Sequence, residues 1–241
     1  MRLDKFISTY TQLTRSQAKK DLKKGLIRVN GIVQTDSKFK VNLSDDQVQY
    51  QGEKIIVKDN FYYILNKPKG VVTANSDKLY RTVMDLIAKE DFRDDLFAVG
   101  RLDKDTTGIL IITNNGKFAH NILAPNKHVS KTYQALVTGE ITKEETLLFK
   151  QGITLKDGTK LKPAELVIES YDEIKDVSNV KIVISEGKYH QIKRMFGALG
   201  QRVLELHRLK IGELTLPSTL KSGEYQEVDV ATLEKYFPNT M

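Results

Sequence analysis

The residues best equipped for chemistry lie in one short run, Gly100-Arg101-Leu102-Asp103-Lys104-Asp105-Thr106-Thr107-Gly108, set between the apolar stretches 96–99 and 109–112. Those stretches read as short buried strands bounded by glycine, so the residues between them form a loop and not core. Within the loop the charges alternate in sign. A carboxylate flanked by Arg101 and Lys104 is kept ionised, and an ionised carboxylate serves as a base or a nucleophile. The same residue types also build a polar turn in which aspartates cap backbone N–H groups, so the loop alone leaves two readings open.

A second run poses a related question. In Glu186-Gly187-Lys188-Tyr189-His190-Gln191-Ile192-Lys193-Arg194-Met195-Phe196, the residues Ile192, Met195, Phe196 and Leu199 fall at helical spacing and predict a core-facing stripe. Lys193 and Arg194 then stand near the helix N-terminus, where cations oppose the helix dipole unless an anion lies beside them. A phosphate or Asp103 would serve. Lys131-Thr132-Tyr133-Gln134-Ala135-Leu136-Val137 predicts a strand, on which an aromatic is ordinarily core. His120 sits in a predicted helix over 117–123, where a lone histidine is ordinarily a surface or core-edge residue.

The elements that must position these groups are legible in outline. Residues 61–65 predict a strand and Asn66-Lys67-Pro68-Lys69-Gly70 a turn leading into 71–73. A helix is expected over 81–90 with Val83, Leu86 and Ile87 inward. The Asn115-Gly116 turn precedes the 117–123 helix, which packs through Phe118, Ile122 and Leu123. Thr142-Lys143-Glu144-Glu145 is a capping box opening a helix that runs through Phe149 and ends at Gly152. Asp157-Gly158 marks a hairpin turn, and strands at 164–169 and 180–185 alternate as an antiparallel sheet does. Further strands are expected within 203–216 and 225–230, and a short helix over 233–237. The fold class is α+β, a mixed and mainly antiparallel sheet flanked by helices.

Residues 1–58 read as a separate small module and 59–241 as the main domain. Thr14-Arg15-Ser16-Gln17 is a capping box, predicting a helix over 15–24 that Gly25 stops, and Asn30-Gly31 is the dipeptide of a tight hairpin turn. The helix carries Lys19, Lys20, Lys23 and Lys24 with only Asp21 as an acidic partner at helical spacing. The polar stretch 51–60 places a hinge near Lys58.

Thirty-eight Lys and Arg stand against 31 Asp and Glu in 241 residues, a net charge of +7, and the pI is near 9.3. That balance favours a polyanionic partner. A hydrophobic content of 40% supports a packed core, while no apolar run approaches the roughly 20 residues that span a bilayer. Met1-Arg2-Leu3-Asp4-Lys5 has no apolar segment behind it and there are no cysteines, so a cytoplasmic protein without disulfides and without membrane association is expected. The sequence holds no Walker loop, dinucleotide fingerprint, His-Glu-x-x-His or zinc-spaced cysteine pair, so neither cofactor nor metal is expected.

Taken together, Gly100-Arg101-Leu102-Asp103 and Asp105-Thr106-Thr107-Gly108 followed by an apolar strand resemble the active-site motif of the pseudouridine synthases, specifically the RsuA-like branch that modifies small-subunit (16S) ribosomal RNA. Asn66-Lys67-Pro68-Lys69-Gly70 resembles the family's first motif, the 186–196 run its third, and Arg208-Leu209-Lys210 with Ile211-Gly212 the end of its domain. The basic helix, glycine stop and hairpin, after a first helix opening at Arg2-Leu3-Asp4, resemble the αββ S4 RNA-binding module. The resemblance implies that Asp103 is catalytic, that Tyr133 faces it, and that Lys193, where many relatives have arginine, pairs with it. It implies that Arg101 helps hold the target nucleotide out of its stack and that Lys188, His190, Gln191 and Arg194 contact RNA. In the first module Arg2, Arg15, Lys19, Lys20 and Lys23 are the candidates for backbone contact. The implied partner is ribosomal RNA or a partly assembled small ribosomal subunit, met by a monomer.

Such an enzyme breaks the bond from C1′ to N1 and remakes it from C1′ to C5, without net redox change and so without a cofactor. It needs a base removed from its stack and a carboxylate beside the sugar. Three other readings compete. The large-subunit branch carries other residues where this chain has Asp105-Thr106-Thr107. A non-catalytic ribosome-assembly factor has no use for Asp103, Tyr133 and Lys193 together. An aminoacylating enzyme with an S4-like appendage lacks its nucleotide-binding signature here.

Overall fold

A computed structural model describes residues 1–57, 59–124, 127–238 and 240, and the chain divides into two compact units, Met1–Asp59 and Asn60–Met241. The hinge expected near Lys58 falls on a residue outside those described.

The first unit packs α1 (Leu3–Tyr10) and α2 (Arg15–Lys23) on a sheet of β1 (Ile27–Val29), β2 (Ile32–Val33), β3 (Val48–Tyr50) and β4 (Glu53–Lys54), in the order β2-β1-β3-β4. Leu3, Phe6, Ile7, Ala18, Leu22 and Ile27 are fully buried between them. The capping box forms: Thr14 Oγ1 accepts from the Gln17 N–H at 3.2 Å and Gln17 Oε1 from the Thr14 N–H at 2.9 Å. Asn30 and Gly31 take positive φ of 51° and 80°, the twist that joins two antiparallel strands through two residues. A second such turn at Gln51 and Gly52 builds the β3–β4 hairpin, where the sequence reads only as polar connection because β4 is two exposed residues long.

Asp4 organises the basic face of this unit. Its side chain has no exposed surface, yet its oxygens lie 3.1 Å from Arg2 Nη2 and from Arg15 Nη2 and 3.9 Å from Lys19 Nζ. Burial alone raises its pKa; the hydrogen bonds and charge of Arg2 and Arg15 outweigh that and hold the carboxyl below its ordinary range. Three of the cations expected to face RNA thus share one buried carboxylate, while Lys20 and Lys23 stand exposed on α2.

In the second unit β5 (Tyr62–Lys67), β6 (Phe97–Ala98), β7 (Thr107–Thr113), β8 (Lys131–Thr138), β9 (Glu165–Asp172), β10 (Val177–Ile184), β11 (Val203–Ile211), β12 (Leu214–Thr215) and β13 (Tyr225–Glu227) form one sheet. Among the described residues it has nine strands, ordered β13-β5-β7-β11-β8-β10-β9, with β6 on β7 and β12 on β11. Every strand pair is antiparallel except β7–β11. Among the described residues four α-helices join it: α3 (Gly116–Leu123), α4 (Lys143–Gln151), α5 (Gln191–Ala198) and α6 (Val230–Tyr236). Strands β5 and β7 are covered on both faces. Leu65, Leu110 and Ile112 enter the larger core with Phe149 and Phe196, and Ile64, Ile109 and Ile111 pack with Phe118, Leu233 and Phe237. Among the described residues no helix is long and apolar enough to cross a membrane.

Two expectations are corrected. The helix over 81–90 is only a single 3-10 turn, Met84–Leu86. Val83 N–H donates to the Val72 carbonyl at 3.0 Å, Val72 N–H to the Arg81 carbonyl at 3.0 Å, and Thr82 N–H to Asp85 Oδ2 at 2.7 Å. Backbone groups that would open a helix are spent on a distant strand-like bridge, although Val83 and Ile87 are buried as the spacing required. In α3, Leu123 is 44% exposed, and the helix packs through Phe118, Ala119 and Ile122.

The β7–β11 pair sets Gly108 opposite Arg208. A Cβ on Gly108 would lie 2.2 Å from the Arg208 carbonyl oxygen, and its φ is +105°. We predict that Gly108→Ala costs about 3 kcal/mol or more through overlap and backbone strain, measured by chemical denaturation of the full chain. A change under about 1 kcal/mol would show that β11 can move aside.

Candidate active site

The loop before β7 is held from beneath by Lys67, the last residue of β5. Its side chain is fully buried, and its ammonium donates to the carbonyls of Pro68 at 3.1 Å, Lys104 at 3.2 Å and Thr106 at 2.9 Å. Burial pulls its pKa down to about 8 against the pull of the Asp105 and Asp103 charges, with Arg208 adding to the fall. Thr73 adds a second fastening: its hydroxyl donates to the Leu102 carbonyl at 2.8 Å and accepts from the Leu102 N–H at 3.2 Å. Asp103 is thereby mounted on a backbone tied down on both sides. The sequence placed Lys67 in a turn and gave it no role; an ammonium at the end of an apolar strand, immediately before proline, is the signal that was there.

From that loop Asp103 faces α5. Its Oδ2 lies 3.1 Å from Lys193 Nζ and its Oδ1 3.5 Å from His190 Nε2. Lysine meets one carboxylate oxygen where a guanidinium fork would take both, and the second oxygen is left to the histidine ring. The cation at the start of α5 therefore has its anion. Arg194 takes another partner, Asp157 in the hairpin turn.

Tyr133 is both core and site. The residue is 8% exposed; it lines a cleft of about 840 Å³ together with Arg101, Asp103, Lys188 and His190, and a smaller adjoining pocket of about 80 Å³ that holds Asp103 and Lys193. Neighbouring residues of a strand point to opposite faces, so Gln134 borders a different concavity of about 650 Å³, shared with Thr107, His207 and Asp105. The two aspartates of the loop thus border different concavities: Asp103 pairs with Lys193 in the pocket that Tyr133 lines, and Asp105 lines the other.

Other expected residues divide. Arg101 is exposed at the cleft. Lys188 Nζ reaches the Lys160 carbonyl at 3.3 Å and lies 3.9 Å from Glu186. His190 adopts the left-handed conformation at φ 48°, an uncommon choice for a non-glycine residue, and its ring stacks on Tyr189 with centroids 3.8 Å apart. Tyr189 is 76% exposed and was assigned nothing from sequence. Gln191 is 4% exposed and lines the pocket of Asp103 and Lys193; its Oε1 accepts from the Lys188 N–H at 2.9 Å and its Nε2 donates to Glu186 at 3.1 Å. Among the described residues no group of three or more His, Cys, Asp or Glu side chains is placed to hold a metal.

Comparison with known proteins agrees with this arrangement. Residues 61–198 match the RNA pseudouridylate synthase family and residues 1–48 the S4 domain. The chain is 38% identical over 228 residues to the Bacillus subtilis protein named uncharacterized RNA pseudouridine synthase YtzG, covering 95% of each. It is 37% identical over 237 residues to ribosomal small subunit pseudouridine synthase A of Haemophilus influenzae, covering 98% of this chain and 99% of that one. A solved structure described as a pseudouridylate synthase superposes with a TM-score of 0.67 at 36% identity, over 98% of this chain and 99% of the other. With Asp103, Tyr133 and Lys193 gathered at one cleft, this chain belongs to the RNA pseudouridylate synthase family and is an enzyme of its RsuA-like branch.

Proposed function

We propose that the enzyme isomerises a uridine of small-subunit ribosomal RNA to pseudouridine, with Asp103 acting on the sugar. The observation that carries the residue assignment is the 3.1 Å pairing of Asp103 with Lys193 at a cleft that Tyr133 also lines. The target class is supported by full-length similarity to a relative named for the small ribosomal subunit.

The glycosidic bond from C1′ to N1 breaks, C1′ bonds to C5, the proton on C5 leaves and N1 is protonated, so substrate and product are isomers. Asp103 adds to C1′ or removes a proton from C2′ to give a glycal; both require a carboxylate against the ribose. Lys193 holds that carboxylate in place, Tyr133 packs on the flipped uracil, and Arg101 braces the vacated stack. Lys188, His190 and Arg194 line the approach for RNA, with Tyr189 offering an exposed ring on which a neighbouring base stacks. The S4 unit adds backbone contacts through Arg2, Arg15, Lys19, Lys20 and Lys23, which position the substrate without reading it. The enzyme works as a monomer, in the cytoplasm, on ribosomal RNA or a partly assembled small ribosomal subunit.

Mapping pseudouridines in small-subunit ribosomal RNA from cells with and without the protein tests the reading; an unchanged map would reject it. For Asp103→Asn we expect turnover to fall about a thousandfold or more with RNA affinity nearly unchanged, and substantial product from that variant would remove Asp103 from its role. For Lys193→Met the expected loss is about a hundredfold in kcat with less than about threefold in affinity; a loss in affinity alone would make Lys193 a phosphate contact.

The Lys67 ammonium makes a third expectation. Between about pH 8 and the ordinary lysine value the folded state binds fewer protons at this site than the unfolded chain, so this group's contribution to stability rises with pH. Over the same range the loop under Asp103 loses a charged donor. Turnover should therefore fall along an alkaline limb near pH 8 while the melting temperature does not, and the limb should vanish in Lys67→Met, a weaker enzyme throughout. A limb that tracks unfolding would exclude this cause.

A further inference from the structure

The mechanism leaves two cations unused, Arg208, which is buried, and Lys131, which is half-buried. Lys131 and Tyr133 stand two residues apart on β8 and so share a face, and Arg208 is the cross-strand partner of Tyr133 on β11. Both Lys131 and Arg208 line the cleft that holds Asp103. Arg208 is 4% exposed; its Nε donates to the Ile109 carbonyl at 2.8 Å, and its Nη2 is buried without a hydrogen-bond partner. Among the described residues no carboxylate is within ion-pair distance of either cation. The acidic groups nearby are engaged elsewhere, Asp103 with Lys193 and Glu186 with Gln191 and Lys188.

Burying a charge is costly unless it is paired, and setting a second like charge beside it adds to the cost. Burial, with the charge of Arg208, pushes the Lys131 ammonium below its ordinary pKa. A purely structural role for Arg208 is met by one nitrogen on the Ile109 carbonyl; it explains neither the orphaned nitrogen nor the unpaired lysine beside it. An anion delivered from outside explains both.

We infer that Lys131 and Arg208 form a phosphate subsite of the cleft, which takes a phosphodiester group adjoining the target uridine. The inference rests on the reading that the cleft receives a flipped nucleotide. Tyr133 and Lys131 are about 7 Å apart along the strand, a spacing of the order of one nucleotide, so a base held against Tyr133 brings its own backbone to Lys131. RNA offers one phosphate per nucleotide and no other anion, and a guanidinium beside an ammonium suits its oxygens.

Lys131 is the residue to test, since Arg208 also braces β7. Filter binding of the full chain to a small-subunit ribosomal RNA transcript is measured over a range of salt for wild type, Lys131→Gln and Lys131→Arg. Lys131→Gln is expected to weaken binding about tenfold at low salt and to flatten the log–log salt dependence by about 0.7–0.9, and Lys131→Arg to restore both. A wild-type slope in Lys131→Gln, or equal weakening in both variants without a change of slope, would overturn the subsite. Wild-type protein supplies a second measurement that needs no variant: ethylation of a phosphate adjoining the converted uridine should block conversion, and insensitivity at both flanking phosphates would also overturn it. If wild type makes no pseudouridine, the functional reading fails, and the salt slopes still decide the subsite.

Discussion

Three carbonyl oxygens, of Pro68 in the turn after β5 and of Lys104 and Thr106 in the Asp103 loop, converge on the buried Lys67 ammonium, and the placing of Asp103 depends on that convergence. An unpaired charge at the Lys67 position would be prohibitive; a charge that donates to three carbonyls turns part of the cost into rigidity. The loop gains a fixed path, and Asp103, a short side chain with little reach of its own, is delivered to one place. Thr73 fastens the preceding residue from the other side. The geometry of the acid is therefore set by backbone anchorage, and Lys193 meets a group already in position.

What brings the partners to that place is the order of the strands. Asp103 precedes β7, Tyr133 lies on β8 and Lys193 opens α5, which leads into β11. Because β11 inserts between β7 and β8, residues separated by thirty and by ninety positions come to one cleft. The insertion depends on the parallel contact of β7 with β11, which a glycine at 108 permits by letting backbone meet backbone. The same contact draws Arg208 under the site.

The parts of this arrangement that were legible in the sequence are those decided within a few residues. Both capping boxes, the Asn30-Gly31 turn, strands at 61–65 and 109–112, which the structure extends to 62–67 and 107–113, and the stripe of α5 follow from local rules, and the 100–108 run carries a resemblance that points to Asp103. What escaped depends on distant partners. The 81–90 segment has a helical spacing of apolar residues, but the Val72 backbone claims its hydrogen bonds. The pairing of Lys193 with Asp103 is legible in two steps: a cation at a helix N-terminus asks for an anion, and the resemblance implies that the anion is Asp103.

The same distinction governs the charge. A net +7 points to a polyanion, but charge counted along the chain is not charge available to a ligand. Arg2, Arg15 and Lys19 converge on the buried Asp4, which cancels part of their field while fixing their direction. Fixing them lowers the ordering cost of contacting a phosphate, since a guanidinium already held by one carboxylate has fewer rotamers to lose. Lys20 and Lys23 retain their full charge and their full freedom. A basic face that looks half neutralised in the sum therefore carries two kinds of cation, held and free, which differ in what they offer a phosphate: the held ones direction, the free ones long-range attraction.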